Sequence, residues 1–398
     1  MILSRKAQNI GASLTLALTA KAGELKKEGI DVVSFGVGEP DFNTPKNIIE
    51  AATRAMEEGK TKYTATSGIV ELKEAIAKKL HDDNGLNYGT KNIIISTGAK
   101  QSLANVFMAI LNPGDEVIIP VPYWVSYPEL VKLSDGVPVF IETKKENDFK
   151  VTYDELKSVL SENTKAIVIN SPNNPTGTVY SKEDLEVIAK FAEENDLIII
   201  SDEIYEKLIY GKEEHISIAS LSDEDAFKRT VVINGFSKAY AMTGWRIGYA
   251  ACYNEELIKV MNNVQSHMTS NTNSIAQFAA LEALNGDQET IKNMVKEFSL
   301  RRELMIELIS GIEELTFIEP KGAFYVMIDV SEVLKKANIK GSMEFANLLL
   351  KEENVVVIPG IAFGEDNFIR LSYATSKEEI IKGLKRIKEF VNKLMNRD

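Results

Sequence analysis

Val231-Val232-Ile233-Asn234-Gly235-Phe236-Ser237-Lys238-Ala239-Tyr240-Ala241-Met242-Thr243-Gly244-Trp245-Arg246 opens as an apolar, β-branched run and then breaks into a short polar loop. The run predicts a buried strand over Thr230–Ile233 and sets Lys238 just past its exit. Working outward, similar runs occur at 92–96, 117–120, 138–141, 166–170, 197–201 and 247–252. Helical periodicity separates most of them, over 100–110, around 124–133, and over 181–194 with Ser181 as the N-cap. Continuous apolar strands alternating with crossover helices predict an α/β fold with a mainly parallel seven-stranded sheet and helices on both faces. Such sheets carry their sites beyond the carboxyl ends of the strands. Gly98, Asn174, Asp202, Ser237 and Lys238 all follow or end a strand in this reading.

A chain of 398 residues is long for one core, and its pattern shifts near residue 285. The reading divides it into an N-terminal segment 1–45, a large domain 46–285 and a smaller α/β domain 286–398. Residues 13–28 form an amphipathic helix expected to pack with the small domain. The small domain is expected to hold charged helices over 288–311, strands at 322–328, 354–358 and 368–372, and helices at 342–351 and 377–395. Between helices 45–58 and 68–81, the stretch Gly59–Thr64 reads as an exposed arm.

A formal charge of −12 disfavours a nucleic-acid partner. No stretch approaches the ~20 apolar residues of a membrane span, and the first residues lack the apolar core of an export signal, so a cytoplasmic protein is expected. Cys252 is the sole cysteine, and His81, His215 and His267 show no ligand spacing, so no metal site is expected.

The chemistry concentrates in a few side chains. A lysine can form an imine with an aldehyde. Ser237 and Arg246 can bind phosphate oxygens, and Gly98-Ala99-Lys100 precedes a helix whose first N–H groups would add to that cradle. Asp202, ending its strand, can pair with a protonated pyridine nitrogen, and Tyr205 can meet the phenolic oxygen of such a ring. Trp124 offers an aromatic plane. Each of these residues alone has an ordinary reading as a cap, turn, core or surface residue. Together, a lysine, an aspartate and a phenol beside an anion site suit pyridoxal 5′-phosphate. Arg370 can form a bidentate pair with a carboxylate, which suits an amino-acid substrate.

Longer stretches carry a resemblance. They are Gly36-Val37-Gly38-Glu39-Pro40-Asp41-Phe42, Tyr63-Thr64, Gly98-Ala99-Lys100-Gln101, Pro122-Tyr123-Trp124-Val125-Ser126-Tyr127 and Asn170-Ser171-Pro172-Asn173-Asn174-Pro175-Thr176-Gly177. Further ones are Ser201-Asp202-Glu203-Ile204-Tyr205, Ser237-Lys238-Ala239-Tyr240, Gly244-Trp245-Arg246-Ile247-Gly248 and Arg370-Leu371-Ser372-Tyr373-Ala374. With these the chain resembles the class I/II pyridoxal-phosphate-dependent aminotransferases of fold type I, bacterial and archaeal aspartate aminotransferases above all.

The resemblance implies that Lys238 is the catalytic, cofactor-bearing lysine and that Asp202 contacts the ring nitrogen. It assigns Tyr205 and Asn174 to the phenolic oxygen, Trp124 to the ring face, and Gly98, Ala99, Lys100, Ser237 and Arg246 to the phosphate end. Tyr63 is implied to reach the phosphate of a neighbouring subunit, which makes a homodimer with shared active sites. Arg370, with Asn174, Trp124 and Gly38 nearby, is implied to hold the substrate α-carboxylate, and the Lys100 side chain to read a distal one. The implied reaction moves an amino group from L-aspartate to 2-oxoglutarate. Aromatic, alanine or broad amino-acid specificity within the family is the alternative, and a non-catalytic regulatory or scaffold protein is the reading from another class.

Overall fold

The computed structural model describes residues 3–222 and 224–396. A first short strand, β1 (Val33–Ser34), precedes seven that form the central sheet: β2 (Ile93–Ser96), β3 (Glu116–Val121), β4 (Val137–Glu142), β5 (Thr164–Asn170), β6 (Ile198–Asp202), β7 (Thr230–Gly235) and β8 (Gly248–Cys252). Their order is β2-β8-β7-β6-β5-β3-β4. Only β8 runs antiparallel to its neighbours, because 12 residues and no crossover helix separate it from β7. The remaining strands point the same way, so their carboxyl ends share one edge.

Alternation along the strands feeds two apolar layers. Ile94, Val117, Val168, Ile200 and Ile233 pack on one face with Leu103, Val106 and Phe107 of the helix Ala99–Ile110. Ile167 and Ile199 pack on the other with Leu185, Ile188 and Phe191 of the helix Lys182–Glu194. Ser181 caps that helix in a reciprocal arrangement with Asp184.

The smaller sheet follows the 22-residue helix Glu289–Ser310. It contains β9 (Thr316–Phe317), β10 (Tyr325–Asp329), β12 (Ile358–Pro359) and β13 (Phe368–Ser372), in the order β12-β13-β10-β9. The stretch expected as one strand over 354–358 is two. Its first part, β11 (Val355–Val356), pairs in parallel with β1, and β12 pairs antiparallel with β13. A single chain segment cannot serve two sheets without turning between them. The β1–β11 pair ties the N-terminal segment to these C-terminal elements, and Ala22 of the helix Leu14–Lys27 packs with Val32 and Val356. Helices at Tyr153–Val159, Glu224–Arg229, Glu255–Met268, Ser274–Asn285 and Ser331–Lys336 were not anticipated.

The two parts also share a core. Tyr205, Leu208 and Tyr210, from the loop after β6, pack with Phe298, Phe324 and Tyr325 of the C-terminal elements. The main cavity opens at this junction, over the carboxyl edge of the large sheet.

Candidate active site

That cavity has a volume of about 410 Å³. Its lining includes Gly38, Ala99, Lys100, Trp124, Asn174, Asp202, Tyr205, Ser237, Lys238, Arg246 and Arg370. Eleven residues singled out from sequence therefore meet in one place, although they span positions 38 to 370. Two do not line it. Gly98 lies just behind, against Arg246, and Tyr63 projects away with 91% of its surface exposed.

One end of the cavity is built for an anion. Gly98 adopts φ +85° and starts the helix Ala99–Ile110, aiming free N–H groups at the opening. A Cβ on Gly98 would lie 2.6 Å from an Arg246 Nη2, and one on Gly248 would lie 2.4 Å from the Ala99 nitrogen. These two glycines let a helix start, a strand and a guanidinium converge. Arg246 itself sits at φ +55°, a conformation side chains seldom adopt. Its Nη1 donates to Thr243 O at 2.9 Å, which orients the guanidinium. Ser237 is buried beside it.

At the cavity floor, Asp202 is 3% exposed. Its Oδ2 accepts from the Tyr127 hydroxyl at 2.7 Å, and its Oδ1 from the Ile204 N–H at 3.2 Å. Burial raises its carboxyl pKa to about 6, against the pull of those two donors and of Lys238. Lys238 is half-buried and its Nζ donates to Gly38 O. Burial lowers its pKa to about 8; Glu39 and Asp202 oppose that shift, while Arg370 and Arg246 add to it. An ionised acid and an amine ready to lose its proton near neutrality thus face one cavity.

Arg370 is 3% exposed, and no carboxylate pairs with it among the described residues. Nη1 donates to Asn174 Oδ1 at 2.9 Å and Nη2 to Gly36 O at 3.0 Å. The guanidinium carbon lies 4.3 Å from the Tyr325 ring centroid and 5.0 Å from that of Phe363. Its Nε has no acceptor among the described residues. A buried cation with a spare donor is costly unless an anion arrives. Arg370→Gln is expected to raise KM for an amino-acid donor by roughly 100-fold with a smaller change in kcat, measured by steady-state kinetics, since a buried charged hydrogen bond is worth 2–5 kcal/mol. An unchanged KM would remove Arg370 from substrate binding.

Lys100 supplies a second cation without an acidic partner among the described residues. Its Nζ lies 4.9 Å from the Trp124 ring centroid, and burial, with Arg246 as a lesser cause, lowers its pKa.

Sequence reasoning missed several wall residues. Tyr127 stands three residues after Trp124, with ring centroids 5.3 Å apart, so the quoted motif carried a signal for it. Tyr325, whose hydroxyl lies 2.9 Å from that of Tyr205, sits in a strand that reads as plain core. Ser13, Thr15 and Thr19 reach the cavity from a helix assigned only to packing. Glu39 also lines it and accepts from the Thr243 hydroxyl at 2.6 Å.

The structure also gathers Glu203, Glu206 and His215, whose ligand-type atoms lie within 4.8 Å of one another. Glu206 is ion-paired with Lys79 and accepts from Asn84 at 3.0 Å, so this group is an internal charge network that histidine spacing could not reveal.

The model of the class I and II aminotransferase family matches residues 30–387. The aspartate aminotransferase of Bacillus sp. (strain YM-2) is 51% identical over 98% of this chain and 99% of its own. The probable aspartate/prephenate aminotransferase of Aquifex aeolicus is 46% identical, covering 98% and 99%. A solved structure of the Thermus thermophilus aspartate aminotransferase with maleate superposes with a TM-score of 0.92 at 44% identity, over 98% of this chain and 99% of that one.

Proposed function

We infer the reaction from a premise that these matches establish: the chain belongs to the class I and II aminotransferases. Enzymes of this family use pyridoxal 5′-phosphate, and the cavity suits it. An anion cradle without space for a Cβ lies at one end, and a buried acid and an amine face the same cavity. We propose that Gly98, Ala99, Lys100, Ser237 and Arg246 hold the phosphate end and that Asp202 holds the ring nitrogen. Tyr205 and Asn174 are proposed at the phenolic oxygen, and Trp124 on the ring face. When bound, the cofactor supplies an aldehyde for amine exchange and a ring that accepts the electron pair left at the substrate α-carbon.

The chain's own groups do the rest. Arg370 fixes the α-carboxylate through its donors and thereby orients the Cα–H bond. Lys238, as the neutral amine, takes the α-proton and holds it on Nζ for return. Asp202, ionised, favours a proton on the ring nitrogen, and Tyr127 holds its carboxylate in line. The Tyr205–Tyr325 pair steadies the phenolic-oxygen end.

The substrate proposed is L-aspartate, with 2-oxoglutarate as acceptor, giving oxaloacetate and L-glutamate. The observation that carries it is Lys100, a cation over the Trp124 ring with no acidic partner among the described residues, in the same cavity as Arg370. Two cations suit two carboxylates. A relative named for aspartate, and a solved relative bearing the dicarboxylate maleate, support the same class. The test is a donor panel of aspartate, alanine and phenylalanine on the wild type and on Lys100→Ala. Aspartate kcat/KM is expected to fall at least tenfold in the variant while alanine changes little. An equal loss for all donors would assign Lys100 to the cofactor alone.

We also propose a homodimer. Its support is Tyr63, whose ring stands free at the tip of its arm while Thr64 and Ile69 beside it are fixed to Gln277. A single-chain mass in light scattering would exclude that assembly. The boundaries 1–45, 46–285 and 286–398 are proposed as the units that move about the cavity, supported by the β1–β11 pair that attaches the first to the third. Comparing free and inhibitor-bound crystal structures tests this, and motion within a unit would redraw it.

A further inference from the structure

Strand β6 ends at the acid Asp202, and a second acid, Glu203, follows it and faces the opposite side of the sheet. Asp202 enters the cavity, while Glu203, 1% exposed, points to the far side. Glu203 Oε1 accepts from Ser201 Oγ at 2.9 Å and from Ser217 Oγ at 2.6 Å, and its Oε2 meets His215 Nε2 at 3.0 Å. Three hydrogen-bonding groups thus surround this buried carboxyl group. Among the described residues, His215 Nδ1 has no hydrogen-bond partner. The nearby ammonium of Lys79 is paired with Glu206 instead. Glu203 is therefore a buried acid clamped by two hydroxyls and an imidazole, and it stands back to back with the acid of the cavity.

We propose that Glu203 is a positioning residue for the reaction: its charge, acting through Asp202, strengthens the demand of the cavity for a proton on the cofactor's ring nitrogen. This rests on the reading of Asp202 as the ring-nitrogen partner. The two side chains point to opposite sides, so their carboxyl groups lie farther apart than the ~3.8 Å between adjacent Cα atoms, with protein rather than water between them. At roughly 10 Å and an effective dielectric of about 20, one charge shifts the protonation of another on the order of tenfold. The neighbours already register it. Burial is the largest cause of the raised pKa of Asp202, and the Glu203 charge is among the lesser ones; the same holds for Tyr249. Without a cation at the ring position the two acids oppose each other. A protonated nitrogen beside Asp202 relieves both.

The test compares pyridoxal 5′-phosphate with its analogue carrying carbon in place of the ring nitrogen. Each is titrated into cofactor-free protein, and the ratio of the two dissociation constants is read from quenching of tryptophan fluorescence. Glu203→Gln keeps the shape and the serine contacts but removes the charge, and should cut the wild-type preference for the nitrogen ring about tenfold. Ser217→Ala keeps the charge and loosens the clamp; it should lower Tm and leave the ratio unchanged. His215→Lys leaves Glu203 in place beside a permanent cation and should lower the ratio in the same sense, which decides the matter if Glu203→Gln does not fold. A wild-type preference that Asp202→Asn removes but Glu203→Gln or His215→Lys leaves intact overturns this inference alone. No wild-type preference at all overturns the reading of Asp202 beneath it.

Discussion

Lys238→Ala is expected to abolish covalent attachment of the cofactor and to reduce transamination by at least about 10⁴-fold, the upper range for loss of a general base. The residue has no understudy. Lys100 reaches the same cavity but lies over the Trp124 ring near the anion end, whereas the Lys238 amine stands at the floor against Gly38 O. Burial brings the Lys238 pKa down to about 8. In the cofactor-free protein the neutral amine therefore accumulates as pH rises through about 8, two units or more before an ordinary lysine. The rate of cofactor capture by apoprotein should climb over that window and then level off. The sign for stability runs the same way. The unfolded amine binds its proton more tightly than the folded one, so this group opposes folding below about pH 8, and that opposition fades between about 8 and its ordinary value. Removing it should not lower the Tm of the cofactor-free protein, which separates lost chemistry from lost fold. Borohydride reduction followed by peptide mass analysis checks the attachment point. A trapped adduct on any other lysine, or near-normal turnover in the variant, would refute the assignment.

Asp202→Asn should separate stability from function in the opposite directions. The folded carboxyl has a pKa of about 6 against 3.8 for the free group, so the folded state binds the extra proton more tightly. Its penalty grows as pH rises from about 4 to 6 and is fully present at pH 7, on the order of 3 kcal/mol. Asparagine keeps an acceptor for Ile204 N–H and a partner for the Tyr127 hydroxyl while removing the charge. Cofactor-free Asp202→Asn is therefore expected to melt a few degrees higher than wild type at pH 7, with the difference vanishing near pH 4. On the proposed assignment of Asp202 to the ring nitrogen, the same change should slow the half-reaction with aspartate by at least about 100-fold, because that nitrogen would lose the group that favours its proton. Calorimetry and stopped-flow absorbance measure the two effects. A variant that is both less stable and fully active would contradict both arguments.

The degree to which the site was legible in sequence varied by residue. Lys238, Asp202 and Asn174 lie at or just past strand ends, and the β-branched runs before them made those exits visible. The seven-strand count and the site edge came from the same signal. Tyr325 and Ser13 had no such mark. A tyrosine inside Phe324-Tyr325-Val326-Met327-Ile328 is indistinguishable from core until the partner of its hydroxyl is known, and that partner, Tyr205, is 120 positions away. The division of 354–358 into two strands was hidden as well, since both halves are apolar and only their different neighbours separate them.

Local pattern alone determined the strand-and-helix order, the shared edge of the strand ends, and which residue types could meet a phosphate, a ring nitrogen and a carboxylate, because period and side-chain chemistry are properties of neighbouring residues. Charge state was decided only in three dimensions. The lowered amine of Lys238, the raised acid of Asp202, the unsatisfied Nε of Arg370 and the buried carboxylate of Glu203 all depend on which distant groups displace water from around them. Desolvation and Coulomb forces act through space, and the spacing of residues along a chain does not encode the distances they act over.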